Sequence, residues 1–433
     1  MNKPNILMVI SHDTGRHLGC YGVDVDTPNF DRIAKDGLIF TNLFCTAPQC
    51  SPSRASILTG MYPHNHGLIG LTHRGFRLGV CKLLPAILSE NGYQTYLFGF
   101  QHESPDPYLL GYKNVVRGKS NSCIDVTPLL VEFLRSKPRK PFFAMVGFNE
   151  THRPFPSYDG PIDRIKPLPY LPDEPDVRRD IGGLNILIRR MDKSIGCILD
   201  TLEETGLDED TLLIYTTDHG IAFPGAKATL FDPGIEVALL MRGPEPFCGG
   251  RVINALLSNV DIMPTILDLC GIPIPVEVQG KSMLPLIRGE IDRIRSEVYL
   301  ELTYHAAYDP IRGVRTERYK YIRSFEWRPY WLPPNVDPGL SKEVARRYGY
   351  FNRIRPVEML FDLSKDPFER INLADDPSYR DVLKHMRYKL YNWMKETRDP
   401  LLTQGYIQPP PGARVTPPLS YEPHDMNPFP LES

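Results

Sequence analysis

Cys50 opens a string running through Ser51-Pro52-Ser53-Arg54-Ala55-Ser56-Ile57-Leu58-Thr59 to Gly60, and this reads as a short helix with both ends marked. Ser51 can cap the start, and Pro52 suits a first helical position, where its missing N–H is no loss. Gly60 can close the far end in the left-handed conformation. The sulfur of Cys50 then lies at a helix N-terminus, where unpaired N–H groups and the helix dipole favour an anion. Arg54 comes one turn on and can reach back to the same spot. A thiol so placed is acidic and nucleophilic. A cysteine that merely precedes a helix is the plainer alternative.

Four apolar runs of strand length end in residues that suit metals or anions. Asn5–Ile10 leads into Ser11-His12-Asp13, and Gly92–Gly99 into Gln101 and His102. Pro141–Phe148 leads into Asn149 and His152-Arg153, and Thr211–Thr217 into Asp218-His219-Gly220. A carboxylate beside an imidazole suits a divalent cation, although Asp-His is also a common chance dipeptide. Helical patterns lie between the runs, at Asn29–Asp36, Leu83–Asn91, Val126–Ser136 and Leu184–Glu204. Alternating strands and helices predict an α/β fold around a large, mostly parallel sheet. Ligands bind such sheets at the carboxyl ends of the strands, and all four polar clusters fall there.

Cys-x-Pro-Ser-Arg followed by Leu-Thr-Gly resembles the signature of the type I, formylglycine-dependent sulfatases of the alkaline phosphatase superfamily. Asp218-His-Gly-Ile-Ala-Phe-Pro224 is similar to their N-sulfoglucosamine sulfohydrolase branch. Leu360-Phe-Asp-Leu-Ser-Lys-Asp-Pro367 is typical of sulfatase C-terminal regions. The resemblance implies an alkaline-phosphatase-like fold and hydrolysis of a small-molecule or saccharide sulfate ester, or a sulfamate. It also implies that a maturation enzyme oxidises Cys50 to formylglycine, whose hydrated aldehyde supplies the nucleophilic oxygen. Asp13 and Asp218 match the family's metal ligands; His219, Cys50 and His12 complete the expected set. The family's ion is calcium, and two imidazoles in the set would turn the preference toward manganese or zinc. Arg54 and Lys227 match groups that stabilise sulfate charge, and His152 matches the histidine that binds sulfate or protonates the leaving group.

The chain departs from the pattern twice. His12 stands where the family has an acid, and Phe100 where its Lys-x-His motif, ending here at His102, has lysine. A phosphonate or phosphate ester hydrolase of the same superfamily is the rival reading, and a scaffold without turnover is a second.

Of the remaining histidines, His305 comes after a strand and either reaches the site rim to read substrate or lies on the surface. His64, His66 and His17 read as supporting rather than ligating.

The second half of the chain changes character. Val237–Met241 and Ile262–Leu269 complete a catalytic domain over residues 1–295. Short strands at Val298–Thr303, Ile311–Val314 and Tyr319–Ser324, with a helix at Asp381–Thr397, predict a smaller α+β domain over 296–405. A Pro-rich tail, 406–433, should run extended along a surface, that of a neighbouring copy in a homo-oligomer being one expectation. Arg153–Pro175, also Pro-rich, reads as a loop near the site mouth.

A net charge of −2 carries no footprint for nucleic acid, and no segment has the roughly twenty apolar residues of a membrane span. The start lacks the cationic region and cleavage site of a signal peptide, and the eight cysteines have no framework spacing. The expected compartment is the cytoplasm.

Overall fold

The computed structural model describes residues 3–423. Its largest element is an eight-stranded sheet with the strand order Asn114–Val116, Gln94–Gly99, Phe142–Gly147, Asn5–Ser11, Thr211–Thr217, Leu239–Arg242, Leu38–Phe40, Arg251–Ile253. The first five run parallel to one another. Leu239–Arg242 is antiparallel to the strands on both of its sides.

The central strand Asn5–Ser11 is buried throughout, and its alternating side chains supply two cores. Ile6, Met8 and Ile10 pack with Ile57, Leu58, Leu84, Ile87 and Leu88 of the helices Cys50–Thr59 and Leu84–Glu90. Leu7 and Val9 pack on the other face with Phe30, Val126, Leu130, Leu184 and Ile188. These last come from the helices Pro28–Asp36, Cys123–Arg135 and Pro175–Thr205. Fully burying each such aliphatic side chain contributes about 1.5–3 kcal/mol, so the strand is a rigid base for the polar residues at its carboxyl end.

Register turns that base into a site. Ser11 pairs with Thr217, so the chains emerge together from the carboxyl ends of neighbouring strands, and Asp13 N donates to Asp218 Oδ1 at 2.9 Å. Gly220 then lies against the loop at 233–234. A Cβ there would stand 1.9 Å from the Pro233 carbonyl oxygen, so only glycine can follow His219.

The signature helix spans Cys50–Thr59, with Gln49 and not Ser51 at its N-cap. The helix starts two residues earlier than the proline suggested, and Ser51 Oγ instead accepts from Thr72 N. Gly60 closes it with φ of 65°, as its sequence position requires.

A second sheet runs antiparallel in the order Glu297–Tyr304, Tyr308–Thr316, Tyr319–Ser324, Glu358–Asp362. One face carries Val314, Tyr321 and Leu360 under the helix Arg380–Glu396, through Leu383, Met386, Leu390 and Trp393. The other face, with Leu300, Leu302, Ile311, Ile322 and Phe361, joins the core of the large sheet. Between its last two strands the chain makes an excursion, residues 325–357, which contains the helix Leu340–Arg347.

The described part of the Pro-rich tail packs on its own chain. Tyr304 donates to the Ile407 carbonyl, Thr416 N bonds Ala306 O, and Lys342 Nζ donates to Tyr421 O. The rest of the tail expected over 406–433 lies outside the described residues.

Candidate active site

The four strand ends bring His12, Asp13, His102, His152, Asp218 and His219 to one place, and the helix Cys50–Thr59 adds Cys50 and Arg54. Asp13, with φ of 55°, is in the left-handed region. Its backbone carbonyl accepts from Thr151 Oγ1 at 3.0 Å, which ties the first strand end to the third.

His12, Asp13, Cys50, Asp218 and His219 are all buried, and each offers one donor atom within 4.8 Å of the others. Asp218 is held from three sides: Oδ1 accepts from the Asp13 and His219 amides, both at 2.9 Å, and Oδ2 from Arg54 Nε at 2.9 Å. His219 Nδ1 faces the Gly220 carbonyl at 2.9 Å, and Nε2 lies 3.0 Å from Asp13 Oδ1 and 3.3 Å from Cys50 Sγ. A ring nitrogen fixed by a carbonyl behind it, with the other turned into a cluster of carboxylates, is the arrangement of a metal-binding histidine. His12 Nδ1 lies 2.7 Å from Asp13 Oδ1 and 3.6 Å from Asp218 Oδ2. Two carboxylates and two imidazoles fit a divalent cation, with chemistry less purely oxygen than calcium prefers.

The electrostatics come from packing unlike charges in a dry place. Burial opposes a charged His12, but Cys50, Asp13 and Asp218 overcome it and raise its pKa to about 9. Burial likewise opposes a Cys50 thiolate. His12, Lys227 and His219 outweigh that and hold the thiol well below its usual range. Lys227 Nζ lies between Asp13 Oδ2 at 2.7 Å and Asp337 Oδ2 at 2.8 Å, and its pKa is raised well above normal against the pull of burial.

Around this centre stand the other predicted residues. His152 Nδ1 lies 2.6 Å from the Arg153 carbonyl, and its ring meets that of His12 edge-on, centroids 4.6 Å apart. His102 Nε2 pairs with His73 Nδ1 at 2.9 Å, and the two rings stack. His305 is buried, its pKa lowered to about 4 by desolvation, and its Nδ1 has no hydrogen-bond partner among the described residues. Phe100 packs its ring 4.9 Å from the Arg54 guanidinium. The Arg153–Pro175 segment is a loop, anchored by Arg153, which forks onto Asp180 and donates to the Ala222 carbonyl.

His17, His64 and His66 point elsewhere. His17 Nε2 pairs with Asn185, His64 Nδ1 with Glu301, and His66 Nε2 with Pro52 O and Ser56 Oγ beneath the signature helix.

Three residues near the site carried no signal in the sequence: His73, Glu103 and Asp337. Glu103 is buried beside Arg54, its pKa raised by desolvation against that cation. Asp337 arrives from the 325–357 excursion. Each is a single polar residue outside the strands and α-helices, His73 in the short 3-10 turn Thr72–Arg74, without a spacing that could mark it.

Residues 4–272 match the sulfatase family, and residues 223–337 match the family described as N-sulphoglucosamine sulphohydrolase, C-terminal. The chain is 29% identical to the N-sulphoglucosamine sulphohydrolase of Homo sapiens, over 92% of this chain and 91% of that one. It is also 29% identical to an ulvan-active sulfatase of Formosa agariphila, over 94% and 82%. The structure of a 2-O GAG sulfatase superposes with a TM-score of 0.75 at 24% identity, over 98% of both chains, and so shares the fold.

Proposed function

The chain belongs to the sulfatase family, a hydrolase of sulfate esters or sulfamates, and from that premise we propose that it removes sulfate from a saccharide. The observation that carries the reading is Cys50 Sγ at 3.3 Å from His219 Nε2, inside a buried cluster of two carboxylates and two imidazoles. The saccharide is supported by the match to the C-terminal region of N-sulphoglucosamine sulphohydrolase and by the overall similarity to that enzyme. The phosphonate or phosphate ester alternative is not favoured, since the matched relatives are sulfatases.

The family implies a metal ion and a formylglycine. Asp13, Asp218 and His219 would hold the ion, with His12 the fourth donor, and this mixed set supports manganese over calcium. A cation held there would polarise sulfate oxygens, and formylglycine made from Cys50 would supply a hydroxyl nucleophile.

The chain's own residues supply the rest. Arg54 holds Asp218 in orientation through Nε. Lys227 offers Nζ to an equatorial sulfate oxygen, as cations do for a transferred phosphoryl group. His152 places its Nδ1 hydrogen on the Arg153 carbonyl, so Nε2 is the atom that takes up a second proton and, as imidazolium, gives it to the departing oxygen or nitrogen. His102, buried beside Cys50 and Arg54, and His305, buried beside Lys227 and Asp337, shield the cluster from water. Phe100 keeps the Arg54 side dry, which strengthens these charges.

The test is release of inorganic sulfate from glucosamine N-sulfate and from O-sulfated sugars by metal-replete enzyme with Cys50 matured. Release from at least one sugar is expected. An enzyme that releases no sulfate yet cleaves matched phosphate or phosphonate esters would overturn the proposal.

A further inference from the structure

Among the described residues, Asp337 is the one acidic group of this site's clusters that comes from the second sheet's side of the molecule. Its side chain keeps 17% of its exposure, whereas Asp13 and Asp218 have none. Asp337 Oδ2 is engaged by Lys227 Nζ at 2.8 Å, and one of its oxygens lies within 4.8 Å of both an Asp13 oxygen and a His152 ring nitrogen. Oδ1 receives no hydrogen bond among the described residues.

The backbone that delivers it is pinned on both sides. Asn335 Oδ1 accepts from the amides of Ala306 and Ala307, at 3.1 and 2.8 Å, which also fixes the turn after His305. Ser341 N bonds Asp180 Oδ2, the same carboxylate that grips Arg153. Val344 sinks into the core beside the helix Pro175–Thr205. A carboxylate presented by so rigid a support, with one oxygen satisfied and the other open, is preorganised to accept a hydrogen bond from a ligand.

Resting on the sulfated-saccharide reading above, we infer that Asp337 determines specificity by accepting, through Oδ1, a hydroxyl on the carbon next to the sulfated position. Lys227 then reads the sulfate and Asp337 the organic half, from two ends of one ion pair. An aryl sulfate has no such donor and gains nothing from the carboxylate. His305, its turn held by Asn335, is buried close to Asp337 and Lys227, and its Nδ1 is unpartnered among the described residues.

Asp337→Asn preserves shape and removes the charge. kcat/KM is compared for glucosamine N-sulfate, its 1-deoxy and 3-deoxy analogues, and 4-nitrophenyl sulfate. The wild type should lose roughly 10- to 100-fold on one of the two deoxy sugars, the range of a hydrogen bond to a charged group. Asp337→Asn should lose a similar factor on the parent sugar, at least about tenfold more than on the aryl sulfate, and should no longer distinguish that deoxy sugar from the parent. Equal losses on sugar and aryl sulfate would make Asp337 a mere support for Lys227 and overturn the assignment. So would a variant that still discriminates the deoxy sugar, or a wild type indifferent to both hydroxyls. A wild type that releases sulfate from neither class would remove the proposed function itself, a distinct result. Melting temperatures of both proteins establish that the variant is folded.

Discussion

Arg54 Nε donates to Asp218 Oδ2 at 2.9 Å, so the arginine of the signature helix is spent on a strand-end carboxylate before any substrate arrives. Nη2 bonds the Ser11 carbonyl at 3.1 Å, and the guanidinium spans the ends of two neighbouring strands. The sequence suggests an arginine free to reach back to Cys50. In the structure it reaches the same centre by orienting a carboxylate.

Arg54→Ala should therefore fail in two ways. Asp218 is left buried without its arginine partner, and breaking a buried pair by removing one partner destabilises by about 3–5 kcal/mol. Residual folded enzyme should also lose retained metal, with activity down at least about a hundredfold. Chemical denaturation and metal analysis of the same sample check this. Unchanged metal content would detach Arg54 from the carboxylate's role.

His12 is the residue to exchange when asking which cation the site selects. With His12 and His219 both aimed into the cluster, the wild type dialysed against equal manganese and calcium should retain manganese. His12→Asp restores an oxygen donor and should shift retention toward calcium. Mass spectrometry of the bound metal reads both proteins. Identical compositions would exclude His12 from the donors.

His66 sets an acid limit on stability. Burial beneath the signature helix lowers its pKa to about 4, while an unfolded histidine titrates near ~6.5. Between those values the unfolded chain binds a proton that the folded chain refuses, so stability falls as pH drops through that window. The full effect is on the order of 3 kcal/mol for His66, and His305, lowered to about 4 as well, adds to it. Urea midpoints measured from pH 7 to 4.5 should fall less steeply in His66→Gln than in wild type. Parallel slopes would assign the acid loss to other groups.

The legible and illegible parts of the site differ physically. A parallel strand buried on both faces must be an unbroken apolar run, so Asn5–Ser11 and Thr211–Thr217 announce themselves, and the polar residues after them mark the site. The signature helix was readable from Gly60, whose left-handed φ few residues adopt, but not its first residue, since Pro52 sits comfortably anywhere in a first turn. Asp337 could not be read. It owes its place to Asn335, Ser341 and Val344, which touch three distant parts of the chain, and no periodicity records such contacts. The strand Glu358–Asp362 was equally hidden as a strand, being a short run after a long excursion.

Phe100 gives the sharpest test of how the site chooses its anion. Its ring lies 4.9 Å from the Arg54 guanidinium and 4.9 Å from the His12 ring, so an aromatic face fills a place where a lysine would bring a charge. With a divalent cation in place its imidazole ligands are neutral, and the nearby carboxylates Asp13, Asp218, Asp337 and Glu103 already balance that ion, Arg54 and Lys227. A sulfate monoester brings one negative charge and a phosphate monoester nearly two. At about 4 Å, each added unlike-charge contact is worth up to about 4 kcal/mol at the effective dielectric of a protein surface. The second phosphate charge finds no such partner here and must be desolvated against Asp337. Wild-type enzyme should therefore prefer a sulfate ester over its matched phosphate by at least about a hundredfold in kcat/KM, or roughly 2.7 kcal/mol. Phe100→Lys should narrow that ratio at least about tenfold, chiefly by raising phosphate turnover, whereas Phe100→Met, apolar like the original, should leave the ratio in place. A ratio that moves equally in both variants would trace selectivity to the ring's packing, and a wild type that prefers phosphate would sink the charge argument outright.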